Sequence, residues 1–294
     1  MAMFMDPTYD FVFKDVFGSM NRLDVTKSFV NALCHFTGDD TIEIVSFLNK
    51  EQLPGNTELQ LGRTFVDIYC EDRKGHKFII EVQRGDDHHF TNRLMLYFSR
   101  MFASQYAPPE FSYDKLYPII VIAIANNIPE MEGMETYRSS HVFHEEAACK
   151  RYLNQAKFIL VELDELTKQE SELETDEDTW LFFLKRIASA THVPEALQTG
   201  EFKKACDLLN LMTKNAMARM EYENLVAGVD AMESSRRIEE EMAEAKGEAR
   251  GKAEAKIELA KNLLADGMPV EKVAALTGLS VDTLRRSLDE DERN

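Results

Sequence analysis

Asp67 and Glu81 stand 14 residues apart in FVDIYCEDRKGHKFIIEVQ, residues 65–83, each in apolar company. Asp67 lies between Val66 and Ile68, and Glu81 follows Phe78, Ile79 and Ile80. An ionised carboxylate near a core needs a partner or a metal. The stretch reads as two strands around a tight turn near Asp72 to Gly75. Neighbouring strands run ~4.8 Å apart, so both carboxylates can reach one spot. Together with the backbone carbonyl of Val82 they make a site for a hard divalent cation, Mg²⁺ or Mn²⁺, which prefers oxygen ligands and keeps several waters. Gln83 shares a strand face with Glu81, while Val82 points back into the core. Gln83 carries no charge and is no base, so its amide can only orient a water or a phosphate oxygen. An acid beside a hairpin turn is more ordinarily a solvated edge, and that reading stays open on the residues alone.

Downstream, Arg93, Tyr97, Arg100 and Ser104 fall at i, i+4, i+7 and i+11 of HHFTNRLMLYFSRMFASQYA, one stripe of a helix. Leu94, Met95, Phe98 and Met101 occupy the remaining positions and are expected to face a sheet. Arginines beside a metal site suit bidentate phosphate binding; a solvated face with an ion pair explains the stripe as well. Lys14, on an earlier helix, is a further candidate for phosphate. His88 and His89 are adjacent, so they point apart and make a poor shared zinc site. Neither a nucleophile-elbow motif nor a Walker loop nor a GxGxxG stretch occurs.

These residues need elements to hold them. DPTYDFVFKDVFGS opens with a turn and continues as a helix ended by Gly18. Asp24 is expected to cap a second helix, and TIEIVSFLN alternates as a strand does. KLYPIIVIAIAN reads as a strand buried on both faces. The helix between it and the Glu81 strand then acts as a crossover in a mixed sheet. SSHVFH and AKFILVEL add short strands. Beyond about Thr175 the pattern is helical. Glu233 to Gly267 reads as a long exposed helix interrupted at Gly247 and Gly251, which cost ~1 kcal/mol each against Ala. In MPVEKVAALTGLSVDTLRRSL, Pro269 starts a helix, Gly278 ends it and Ser280 caps another, a helix-turn-helix-like pair with Val270, Val273, Leu276, Leu279 and Leu284 as its core. Its second helix would present Thr283, Arg285 and Arg286 to a DNA groove; the acidic DEDERN that follows favours a protein contact equally.

The chain has 294 residues, 44% hydrophobic, with a net charge of -18. That charge argues against coating nucleic acid by bulk attraction. It is uneven: Glu162 to Asp178 holds nine acids and one lysine, expected as a solvated linker or helix face. Cys34, Cys70, Cys149 and Cys206 lack metal-ligand spacing and are expected to be free, buried thiols in a reducing compartment. The longest strongly apolar run, Tyr117 to Ala125, is nine residues, against ~20 for a membrane span. With no basic-then-apolar leader, the expectation is a cytoplasmic protein with no membrane partner.

An aspartate, then a dozen or so residues, then Glu-x-Lys is the signature of the PD-(D/E)XK nuclease superfamily. VDIYCEDRKGHKFIIEVQ resembles one branch of it, the Rpn recombination-promoting nucleases and YhgA-like transposases, which often carry Gln in place of Lys. DPTYDFVFKDVFG resembles that branch's opening D-x-x-F-K-x-x-F-G, here Asp10, Phe13, Lys14, Phe17 and Gly18. NRLMLYFSR resembles its R-x-x-x-Y helix, here Arg93 and Tyr97, and LLADGMPVEKVAALTGLSVDTL its helical end. The resemblance implies a restriction-endonuclease-like α/β core, a mixed sheet flanked by helices, over residues 1–170. A helical extension over 171–231 and an all-α region over 232–294 follow. It implies a metal-dependent DNA endonuclease with Asp67, Glu81 and Gln83 as catalytic residues. Asp67, Glu81, Val82 and Asp10 would hold Mg²⁺ or Mn²⁺; Arg93, Tyr97, Arg100 and Lys14 would hold DNA. Recombination, mobile elements or phage defence would be the setting, and the terminal helices would pair with a second copy or a partner. The alternative is a weakened or inactive DNA- or protein-binding module of the same fold, acting through its tail.

Overall fold

The structure is a computed structural model that describes residues 4–48, 66–85, 87–106, 112–131, 133, 136–281 and 284. The chain divides into two compact units, Met1–Tyr222 and Glu223–Asn294.

In the first unit, α1 (Asp10–Phe17) and α2 (Leu23–Cys34) precede β1 (Ile44–Phe47), β2 (Ile68–Asp72) and β3 (Lys77–Gln83). Then come α3 (Phe90–Ser104), β4 (Ile119–Ala125), β5 (Arg138–Val142), β6 (Ala156–Glu162), α4 (Asp176–Arg186) and α5 (Gly200–Lys214). Among the described residues the strands form one sheet in the order β1-β2-β3-β4-β6-β5. β1, β2 and β3 run antiparallel, β3, β4 and β6 parallel, and β5 antiparallel to β6 at the edge. The parallel β3–β4 pair needs a crossover, and α3 supplies it as its position predicts. The Ile/Val run of β4 is buried along almost its whole length, because strands lie on both sides of it and side chains cover both faces.

Tyr69, Ile79 and Val121 pack with Phe90, Leu94, Phe98 and Met101 of α3. Met95 departs from expectation: it is exposed, since 94, 98 and 101 already fill the buried stripe and 95 falls about a quarter-turn away. A second core joins α1, α2 and α4. Phe13, Phe17, Phe29, Trp180 and Phe183 meet there, mostly edge-to-face, and Trp180 Nε1 donates to Ser28 Oγ at 3.2 Å.

Two local expectations need correction. Arg22, not Asp24, occupies the N-cap of α2; Asp24 sits in the first turn, where its carboxylate accepts from the Val25 N–H at 3.0 Å. The acidic run 162–178 is not all solvated, because three of its acids have partners that compensate their burial. Glu162 accepts from Ile128 N–H at 2.8 Å, Glu177 pairs with Arg138 at 2.6 Å, and Asp178 pairs with Lys168 at 2.7 Å while closing the capping box of α4 with Thr175. The cysteines are free, and Cys34, Cys70 and Cys206 are buried as expected; Cys149 departs from the expectation and is exposed.

The division between the units falls within α6 (Ala216–Ala265), which runs unbroken through Gly247 and Gly251 rather than being interrupted there. A helix tolerates isolated glycines at modest cost when its flanks are rich in Ala, Glu and Lys. In the second unit Ala260 of α6 packs against Val273 of α7 (Val270–Thr277) and against Leu284. Leu263, Leu264, Met268, Val270, Ala274 and Leu279 surround them. Leu276, expected in this core, is 61% exposed, and Ala260, Leu263 and Leu264 of α6 belong to the core instead. Gly278 ends α7 with φ 71°, a left-handed cap that favours glycine. Thr283, Arg285 and Arg286 lie outside the described residues. Among the described residues no helix is long and apolar enough to cross a membrane.

Candidate active site

The β2–β3 hairpin has the register Ile68↔Ile80 and Tyr69↔Ile79, so one step further the ladder sets Asp67 beside Glu81. The contact is reciprocal. Asp67 N–H donates to Glu81 Oε1 at 3.0 Å, and Val82 N–H donates to Asp67 Oδ2 at 2.8 Å. Each carboxylate is thus pinned on one oxygen by the backbone of the opposing strand. Both are buried, 8% and 6% exposed. Burial pushes the Asp67 carboxyl up to about 6, helped by a hydrogen bond from Asp10 and opposed by the Val82 N–H and by Lys14. Burial, then the Asp67 charge, holds Glu81 well above the ordinary carboxylate range, against the Asp67 N–H, Arg93 and Lys14.

Lys14 reaches this pair from α1. Its Nζ lies 3.2 Å from Asp67 Oδ1 and also pairs with Asp10, one turn earlier. Burial alone would lower the Lys14 ammonium, but hydrogen bonding to Asp10 and the Asp67 charge outweigh it and leave it raised. Asp10, Lys14, Asp67, Glu81 and Val82 therefore come together.

Gln83 is held differently. Arg93 Nη2 donates to Gln83 Oε1 at 2.6 Å, and Gln83 Nε2 donates to the Arg84 carbonyl at 2.7 Å. The other guanidinium nitrogen of Arg93 pairs with Asp87 at 2.5 Å. Arg93 is thus engaged on two sides, with its side chain 31% exposed. Tyr97 is half-buried beside the same cluster, and its phenol is raised by burial and then by the Glu81 charge.

Residues 7–234 match the sequence model of the PD-(D/E)XK nuclease family transposase. The chain belongs to this nuclease family. Residues 253–288 match the C-terminal HTH domain of the Rpn/YhgA-like nuclease family, which supports the Rpn/YhgA-like transposase branch. Comparison with curated proteins and with solved structures gives no match. The mixed sheet with flanking helices is the restriction-endonuclease-like α/β arrangement expected for the family.

Parts of this cluster in the nuclease-family chain had no signal in the sequence. Arg84 forms an ion pair with Asp6, donates to Thr8 Oγ1 at 2.6 Å and lies over the Tyr9 ring at 4.1 Å. Asp6 N–H in turn donates to Tyr222 Oη at 3.1 Å. Asp6, read only as part of a turn, therefore ties residues 6–9 to the residue after Gln83. Asp87, grouped with two histidines in sequence, instead anchors Arg93.

The donor set fits a hard divalent cation in part. Among the described residues no group of three or more His, Cys, Asp or Glu is arranged to hold a metal. The close pair Asp67 and Glu81, with Val82 between them and Gln83, still suits a cation that takes one or two carboxylates and completes its shell with water and substrate phosphate. The raised carboxyls are what burial, and then the neighbouring acid, produces when no full counter-charge is present.

Proposed function

We propose that this chain is a divalent-metal-dependent DNA endonuclease. The observation that carries the reading is the reciprocal latch of Asp67 and Glu81, two buried carboxylates brought side by side in a chain of the nuclease family. Asp67 and Glu81 would hold Mg²⁺ or Mn²⁺, with Val82 offering its carbonyl and Asp10 a further carboxylate. When bound, such a cation lowers the pKa of a coordinated water and offsets charge growing on the phosphorus centre. The hairpin fixes both carboxylates through backbone N–H groups, so the ligands are arranged before substrate arrives. Gln83, oriented by Arg93 and the Arg84 carbonyl, retains one amide N–H to direct at a water or a phosphate oxygen. Tyr97, on α3, lies near enough to Glu81 for that charge to raise its phenol.

DNA would be gripped by the HTH region and by Arg100, with recombination, mobile elements or phage defence as the setting and the cytoplasm as the place. Self-association through the C-terminal helices belongs to the same reading. So does the division into a catalytic core, a helical extension from about 171 and a tail from about 232.

Plasmid nicking tests the proposal. Purified protein should cut with Mg²⁺ or Mn²⁺, stop with EDTA, and lose cutting in Asp67→Asn and Glu81→Gln while both variants stay folded. Equal cutting by wild type and both variants would place the activity elsewhere. A second reading, a DNA-binding module with a weak site, is favoured by one observation: the Gln83 amide is already engaged by Arg93 and Arg84. Binding with no metal-dependent nicking would support it.

A further inference from the structure

Position 83 carries no charge, yet hydrolysis of a phosphodiester builds negative charge on the phosphate oxygens. The nearby cations differ in what already holds them. Arg84 is engaged by Asp6, Thr8 and the Tyr9 ring, and Arg93 by Asp87 and Gln83. Lys14 instead sits on the carboxylates themselves, with Nζ 3.2 Å from Asp67 Oδ1 and paired to Asp10.

α1 is built to hold it there. Val12, Phe13, Val16 and Phe17 are fully buried and anchor the helix, which leaves Asp10 and Lys14 together on the remaining face. Gly18 closes the helix directly behind: its N–H donates to the Lys14 carbonyl at 2.8 Å, and a Cβ at 18 would come within 2.7 Å of that oxygen. The backbone of Lys14 is therefore clamped. The charges also balance in a telling way. Asp10, Asp67 and Glu81 carry three negative charges when ionised, and Lys14 offsets one. A divalent cation would offset the remainder together with the nearby Arg93, so the charge of Lys14 does not exclude a cation from the site.

We propose that Lys14 is a catalytic residue that supplies from α1 the fixed positive charge absent at Gln83. This rests on the nuclease reading above. In the step it serves, the water oxygen forms the new bond to phosphorus and its proton leaves to solvent. The bridging P–O bond breaks, its electron pair goes to the leaving oxygen, and that oxygen takes up a proton from solvent. Lys14 transfers no proton. Its ammonium donates a hydrogen bond to a non-bridging oxygen whose charge grows as the phosphorus gains its fifth oxygen, and so acts mainly on the transition state.

The test uses the full-length protein, a supercoiled plasmid and Mn²⁺. Lys14→Met and Lys14→Gln should lower kcat ~100-fold, the loss expected for one charge-stabilising donor, with KM for DNA within ~3-fold. Mn²⁺ affinity, followed by electron paramagnetic resonance without DNA, should be unchanged or tighter, because a competing cation has been removed from Asp67. Lys14→Arg, or Gln83→Lys added to Lys14→Met, should restore part of kcat. Three results would overturn the assignment: wild-type kcat in both neutral variants, a loss confined to KM, or a Mn²⁺ affinity reduced ~10-fold, as removal of a supporting group around a metal does. Failure of both neutral variants to fold makes Lys14 a structural tie and overturns it equally. Asp67→Asn serves as the reference. Cutting by wild type and by Lys14→Met but not by Asp67→Asn takes down Lys14 alone, and no cutting by wild type takes down the nuclease reading with it.

Discussion

The two units treat charge in opposite ways. In the first, Asp67 and Glu81 are drawn into the sheet and held by backbone N–H groups, with only part of their charge offset. In the second, α6 carries its charges on the outside: Arg250 and Glu254 pair one turn apart at 3.6 Å with side chains 78% and 70% exposed. The second pattern contributes little, since water screens it. The first raises pKa values and creates a demand for a cation. Burial, rather than the number of acids, separates a candidate ligand from a solubilising surface.

The largest effect should come from removing the buried charges. Asp67→Asn or Glu81→Gln should lower metal-dependent plasmid nicking by ~100-fold or more, the scale of losing one charge-stabilising group. Next is the group between the buried and exposed regimes. Arg93→Ala should lower kcat ~10-fold by releasing Gln83, yet leave the salt slope of DNA binding unchanged, because its guanidinium is already paired with Asp87. A slope flattened by about one counterion in filter binding would show Arg93 contacting phosphate instead.

A smaller effect lies in stability. The folded-state Asp67 carboxyl sits above its ordinary value of 3.8, at about 6, so the fold favours its protonated form. That contribution is complete below 3.8 and is lost as pH rises through about 6. Metal-free wild type should therefore lose thermal stability between about pH 4 and pH 7 relative to Asp67→Asn. At neutral pH the variant should melt a few degrees higher in EDTA, and that gap should shrink in acid; a gap that widens in acid sinks the electrostatic account.

The smallest effects belong to the tail. Truncation after Ala231 should leave a folded unit that binds Mn²⁺ as before, while light scattering shows a changed oligomeric state or gel shift a weaker DNA complex. Arg250→Ala should change melting by less than ~0.5 kcal/mol of stability, the range of an exposed pair.

Much of this was legible in the sequence where the signal is local or periodic. The Ile/Val run of β4, the hairpin with its acids, the α3 crossover and the glycine at 278 each follow from a short pattern. The carboxylate pair was legible because a hairpin converts sequence spacing into distance. Side-chain partners across the fold were not. Arg84 meets Asp6 from 78 residues away, and nothing near either residue announces the other. Arg93 reads as a phosphate contact from its helical face, and only the observed turn before α3 brings Asp87 to it. Met95 and Leu276 were misplaced for a related reason: periodicity limits which residues face a core, while neighbouring elements decide how wide the buried stripe is.

The reciprocal latch also bears on how such chains decay. An amide oxygen accepts a backbone N–H as a carboxylate oxygen does, so Asn at 67 or Gln at 81 can keep the hairpin closed while removing the charge. A lineage can thus lose cleavage without passing through an unstable form. The silenced copy would still fold and keep its HTH region, and it would compete with active copies for the same DNA. Inactivation in such a lineage would act as a dominant brake rather than as a simple loss.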